Sequence, residues 1–176
     1  MVRYADAPSA EAEVRIDAPP PVVWPLLCDI NVPASFSPEF QGAEWIDDGP
    51  ALGARFRGRN RHEAVGEWSV VCTVTDLDPH RVFEWTVGDV ADKVARWRFE
   101  LEPDGAGSSL RFHAEMGPGR SGLTPAIERM PDREEELVAA RLAEWTANMQ
   151  RTLDGIKDLA DAQPIPPAHD EGYRSQ

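Results

Sequence analysis

Val94-Ala95-Arg96-Trp97-Arg98-Phe99-Glu100-Leu101-Glu102 alternates an apolar side chain at 95, 97, 99 and 101 with a charged one at 96, 98, 100 and 102. Successive strand residues point to opposite faces, so this segment predicts a strand with one aromatic face turned to a core and one charged face turned to water. The same reading extends outward to Ala54–Glu63, Glu67–Asp76, Arg81–Val87 and Ser108–Met116, and to shorter strands at 12–18 and Ala43–Asp47. Asp48-Gly49-Pro50, Asp78-Pro79-His80 and Asp104-Gly105-Ala106-Gly107 are turn signals between them. Connections this short join antiparallel neighbours, which predicts a meander.

From Asp132 the period changes. Val138, Leu142, Trp145, Met149, Leu153, Ile156 and Ala160 recur at steps of three and four, the spacing of one helix face. The helix ends near Ala162, and Asp132, Glu134, Glu135 and Glu136 suit the positive end of its dipole. Pro19-Pro20-Pro21 closes the first strand and opens a short helix over Val22–Asp29. Val32–Phe40 reads as a second short helix or an ordered loop. Gly117–Gly122 holds no regular structure and is expected to be mobile, Thr124-Pro125 supplies an N-cap and first helical position, and Pro131 kinks or restarts the helix. The expectation is an α+β chain with about seven antiparallel strands curved around a long C-terminal helix, a shape that encloses a cavity. Residues 1–10 read as a flexible N-terminus, 11–162 as one domain and 163–176 as a disordered tail.

At 176 residues, 41% hydrophobic and 28% charged, the composition is that of a globular domain. No apolar run approaches the ~20 residues that cross a bilayer, and Met1–Ala10 lacks a signal pattern, so the expected compartment is the cytoplasm. A net charge of −13 repels phosphate backbones and anionic membranes. Cys28 and Cys72 lack metal or redox spacing and read as small buried hydrophobes. His62, His80, His113 and His169 are scattered, which points to no metal site, and no cofactor is expected. A monomer or homodimer is expected.

Strand phase assigns the concave face. Phe56, Trp68, Val70, Cys72, Val74, Phe83, Trp85, Val87, Trp97, Phe99, Leu101, Leu110, Phe112, Ala114 and Met116 fall on inward phases. The arginines at 55, 57, 59, 61, 96, 98 and 111 fall outward, among acidic partners on a solvated face. The phase of Phe56 also carries Gly58, Asn60 and His62 inward, two polar groups that each need a protein, water or ligand partner. The alternative is that they lie at the rim, with a bulge at Gly58. On the helix, Arg141 and Asn148 flank Trp145 and sit at the edge of the apolar stripe. The candidate ligand-binding set is Phe36, Phe56, Asn60, His62, Trp68, Trp85, Trp97, Phe112, Arg141, Trp145 and Met149.

Ile16-Asp17-Ala18-Pro19 running into Val23-Trp24-Pro25-Leu26-Leu27-Cys28-Asp29, the stretch Gly53–Asn60, Trp68 to Asp78-Pro79, and Trp97-Arg98-Phe99 occur in an order that resembles the START-like or SRPBCC superfamily. Within it, the chain is similar to bacterial polyketide cyclase/dehydrase-like proteins over about residues 10–160. The resemblance implies a helix-grip fold with two short helices after the first strand, and relatives that bind lipids, hormones, quinones or polyketides. Polyketide cyclases of this fold hold their substrates with polar and phenolic groups, whereas the tyrosines here, Tyr4 and Tyr173, lie near the termini. Neither Lys93 nor Lys157 matches the pocket lysine of plant hormone receptors of similar fold. No catalytic residue is carried over.

Three functions remain. The first is a carrier or binding protein for a small hydrophobic molecule such as a lipid, quinone or polyketide. The second is a cyclase-like enzyme with His62 as acid/base, Asn60 polarising a carbonyl and Arg141 stabilising an enolate. The third is a protein-interaction module whose cavity is filled.

Overall fold

The computed structural model describes residues 2–164. Seven strands, β1 (Ser9–Ile16), β2 (Phe40–Trp45), β3 (Arg55–His62), β4 (Gly66–Asp78), β5 (Val82–Gly88), β6 (Lys93–Asp104) and β7 (Gly107–Met116), form one antiparallel sheet in the order β1-β7-β6-β5-β4-β3-β2. Helices α1 (Pro20–Cys28), α2 (Thr124–Arg129) and α3 (Glu134–Asp161) complete the chain, with 3₁₀ turns at Tyr4–Asp6, Val32–Ser35 and Pro131–Arg133. The element between α1 and β2 is therefore a single 3₁₀ turn followed by loop. The 3₁₀ turn at Pro131 separates α2 from α3, so the proline restarts the helix, and Thr124 is the first residue of α2 rather than its cap. The tail expected from 163 onward falls mostly outside the described residues.

Period-2 patterning translates directly into the sheet. In β7, Leu110, Phe112, Ala114 and Met116 are buried while the residues between them are partly exposed. The convex face carries the charges. Arg98 donates from Nε to Glu100 (2.7 Å) and from Nη1 to Asp76 and Glu84 (both 2.9 Å). Such pairs fix strand neighbours and keep the open face wet.

Helix α3 meets the sheet chiefly along β1, at one edge. Two ties set its direction: Tyr4 N–H donates to Glu134 Oε1 (2.9 Å) at the start of the helix, and Asp17 N–H donates to Asp161 Oδ1 (2.9 Å) at its end. The 28 residues of α3 span about 42 Å and the eight of β1 about 26 Å, so the helix runs along the strand and extends beyond it. Leu153, Ile156 and Ala160 are fully buried in one core with Ala10, Ala12 and Ile16. The first half of α3 instead overhangs the concave side of the inner strands.

The N-terminal decad, expected to be flexible, is engaged in the fold. Ser9 and Ala10 belong to β1, and Tyr4 is buried, its hydroxyl donating to Gly119 O (2.8 Å). The Gly117–Gly122 segment is irregular as expected, yet Gly117 N–H and Gly119 N–H donate to Val94 O and Lys93 O at 2.8 Å each. Non-periodic residues hide such long-range ties.

At Gly155, α3 packs directly against Phe36, which follows the 3₁₀ turn after α1. A Cβ there would lie 2.4 Å from the Phe36 ring. Valine differs little from glycine in helix propensity, so Gly155→Val isolates the steric term, and overpacking of a filled core costs about 1–3 kcal/mol. Urea denaturation is expected to show a loss of roughly 2 kcal/mol for Gly155→Val, and little further loss when it is added to Phe36→Ala. Equal losses in both backgrounds would show that this contact is not the constraint.

Candidate functional site

Between the overhanging half of α3 and the inner strands lies a cavity of about 800 Å³. Its floor is the inward phase of β3–β7, its roof the side of α3 from Leu137 to Thr152, and one flank the residues around α2. The floor is aromatic. Trp85 and Trp97 stack at 6.5 Å with 11° between planes, Phe99 and Phe112 stack at 4.1 Å, and Trp97 meets Trp145 of the roof at 4.7 Å. Contiguous rings hold one another in fixed rotamers while leaving flat faces for a ligand.

The phase assigned to β3 holds along the whole strand. Gly58, Asn60 and His62 all line the cavity, and the β3–β4 register runs unbroken from Arg55 to His62. The register shift lies on β2 instead, between Phe40 and Gly42, where Gly42 has φ +120°. Gly58 has a different reason to be glycine: its missing Cβ would sit 3.3 Å from the Phe40 ring, which lies across it.

Of the predicted ligand-binding residues, Phe56, Asn60, His62, Trp68, Trp85, Trp97, Phe112, Arg141, Trp145 and Met149 line this one cavity. Phe36 does not; it packs against α3 at Gly155, because the 3₁₀ turn directs it along the helix flank. Sequence reasoning passed over Tyr4, Glu39 and Glu144, which line it too. Glu144 stands three residues from Arg141 and was open to notice. Glu39, in a proline-interrupted loop, and Tyr4, in an aperiodic terminus, meet the site only through long-range contacts.

One end of the cavity is polar. Arg141 donates to both oxygens of Glu39, at 2.8 and 2.5 Å, and to Glu144 Oε2 at 2.9 Å. This fork-on-carboxylate geometry is the strong form of the ion pair. Burial pulls the Arg141 pKa down, but its hydrogen bonds to Glu39 and Glu144 and their negative charges outweigh it, and the net shift is upward. The guanidinium carbon also lies 5.7 Å from the Trp145 ring centroid, within cation–π reach.

His62 completes this end. Its Nδ1 accepts the Ala64 N–H (3.1 Å), which places the neutral ring's proton on Nε2, 3.4 Å from Glu144 Oε2. Nδ1 is thus committed to the backbone, while Nε2 faces a carboxylate. Asn60 differs: its side-chain amide bonds to none of the described residues. It is available to a ligand oxygen. At the α2 end, burial pushes the Tyr4 phenol above its ordinary pKa, which keeps it neutral and donating. Among the described residues no three His, Cys, Asp or Glu side chains gather to hold a metal ion.

A curved seven-stranded sheet gripping a long C-terminal helix over an aromatic cavity defines a helix-grip domain. The comparisons with known proteins narrow the class. Residues 7–161 match the family described as polyketide cyclase/dehydrase and lipid transport, and the chain belongs to that family, within the START-like, SRPBCC superfamily. A polyketide cyclase-like protein of Corynebacterium glutamicum, Cgl2372, is similar at 28% identity and a TM-score of 0.61, over 85% of this chain and 88% of its own. The di-domain ARO/CYC BexL from the BE-7585A biosynthetic pathway gives 0.68 at 18% identity, over 90% of this chain and 51% of its own. Ara h 8.0201 gives 0.58 at 13% identity, over 89% and 99%. A search of curated proteins finds no match. Fold and family together support a role in hydrophobic-ligand binding or cyclisation.

Burial pushes the Cys72 thiol in the cavity wall up to about 12 and the Cys28 thiol to about 11. Because the thiolate is the reactive form, neither is expected to react with a disulfide reagent at pH 8 in the folded chain, and both are expected to react after denaturation. Rapid native labelling of Cys72 would contradict its burial.

Proposed function

We propose that the chain is a binding or carrier protein for a small hydrophobic molecule held between the sheet and α3. The observation that carries this reading is the aromatic cavity of about 800 Å³, a volume within the range of sites that enclose drug-sized ligands. The same volume speaks against an interaction module with a filled interior. The polar end supports binding over catalysis, because Arg141 is held by two carboxylates and Nδ1 of His62 is taken by the Ala64 N–H.

Cyclase-like chemistry is the second reading, favoured by one observation: the Asn60 amide in the cavity wall, which has no partner among the described residues and could polarise a carbonyl. A cytoplasmic location remains an expectation of the sequence. Among the described residues, no helix is long and apolar enough to cross a membrane.

Native mass spectrometry of the gently purified full chain, followed by denaturing extraction, tests the reading. A stoichiometric hydrophobic adduct is expected, retained by His62→Ala and released unchanged after incubation. Conversion of the extracted compound by the wild type and not by His62→Ala or Asn60→Ala would replace the carrier reading with the enzymatic one. An empty cavity that also takes up no lipid, quinone or polyphenol would overturn both.

A further inference from the structure

We propose that the Glu39–Arg141–Glu144 clamp is a charge filter: the cavity admits uncharged molecules bearing hydrogen-bond acceptors and turns away organic carboxylates of the same shape. This deepens the hydrophobic-ligand reading, on which it rests, by assigning the ligand's charge and polarity.

The first observation concerns donors. Trp85, Trp97 and Trp145 line the cavity, and among the described residues no acceptor bonds their indole N–H groups. Indole nitrogen donates and cannot accept, and a buried donor left unpaired is costly. Nor are these nitrogens sealed inside protein: among the described residues the enclosed side-chain nitrogens without a hydrogen-bond partner are Arg96 Nε and Arg111 Nε, both on the convex face. A ketone, quinone, lactone or ether oxygen placed against the tryptophan cluster satisfies these donors, with Asn60 as a further one.

The second observation concerns cations. A carboxylate also accepts from indoles, but its charge must be compensated when it leaves water. Arg141 cannot compensate it, because Glu39 and Glu144 already occupy its fork and a third carboxylate would surround one positive charge with three negative ones. Asp29 in the wall adds to the repulsion. The other lining cation, Arg129, sits exposed on α2 with its Nε donated to Pro125 O, where solvent leaves an ion pair little net strength. The wall therefore rewards an acceptor and penalises an anion.

The test uses two flat quinones of nearly equal size, 2-(hydroxymethyl)anthraquinone and anthraquinone-2-carboxylate. Their binding to the full chain at pH 8 is read by quenching of tryptophan fluorescence. The neutral quinone is expected to bind at least about tenfold more tightly, and Glu39→Gln to narrow that ratio to about threefold by raising carboxylate affinity alone. Glu39→Gln strips a partner from a largely buried guanidinium and risks unfolding. Glu144→Gln, at a side chain 47% exposed, provides the same readout in a folded protein. Equal affinities in the wild type, or preference for the carboxylate, overturn the charge filter and leave the cavity reading standing. Binding of neither quinone counts against the cavity reading and takes the filter with it.

Discussion

The rest of the structure depends on where α3 lies. It runs along the edge strand β1, held at one end by Tyr4 and Glu134 and at the other by Asp17 and Asp161, and does not lie across the middle of the sheet. The C-terminal half of the helix is pressed into the core with β1, and the approach of Gly155 to Phe36 leaves no room for adjustment there. The sheet curves away beneath the other half. Its inner strands carry large aromatic faces that the helix covers only in part, where Trp145 meets Trp97, and protein interiors do not ordinarily leave such faces uncovered. The cavity is the consequence of a helix fixed at one edge of a curved sheet.

That geometry also explains the asymmetry of the lining. Rings of β5, β6 and β7 pack sideways on one another, so they are rigid without a filler. Polar groups gather where β3, the loop before β2 and the helix roof converge. There Arg141, Glu39, Glu144 and His62 satisfy one another, which lets charged side chains border an apolar space at tolerable desolvation cost. The price of this arrangement is that little catalytic capacity remains free at that end. The fold is shared by proteins with different roles, and only the details of such a lining separate a container from a catalyst.

Much of this was legible in the chain. Strand phase placed Trp85, Trp97 and Phe112 on the concave face, and it placed Asn60 and His62 there too, because a strand with unbroken register preserves its period to the end. The stripe through Trp145 and Met149 oriented α3 for a similar reason. Phe36 was misassigned because its 3₁₀ turn has no period long enough to define a face. Tyr4 and Glu39 went unrecognised because segments without periodicity carry no sign of the distant backbone they will meet.

The sequence by itself determined the alternation of faces, the number and order of the strands, and the aromatic character of the interior. These follow from local periodicity and short turns, which act within a few residues. Only the tertiary structure decided that the helix stands at the β1 edge, that the space beside it stays open, and that Arg141 is claimed by Glu39, 102 positions away in the chain. Those outcomes depend on long-range packing and on which charge reaches which partner, and no local pattern encodes either.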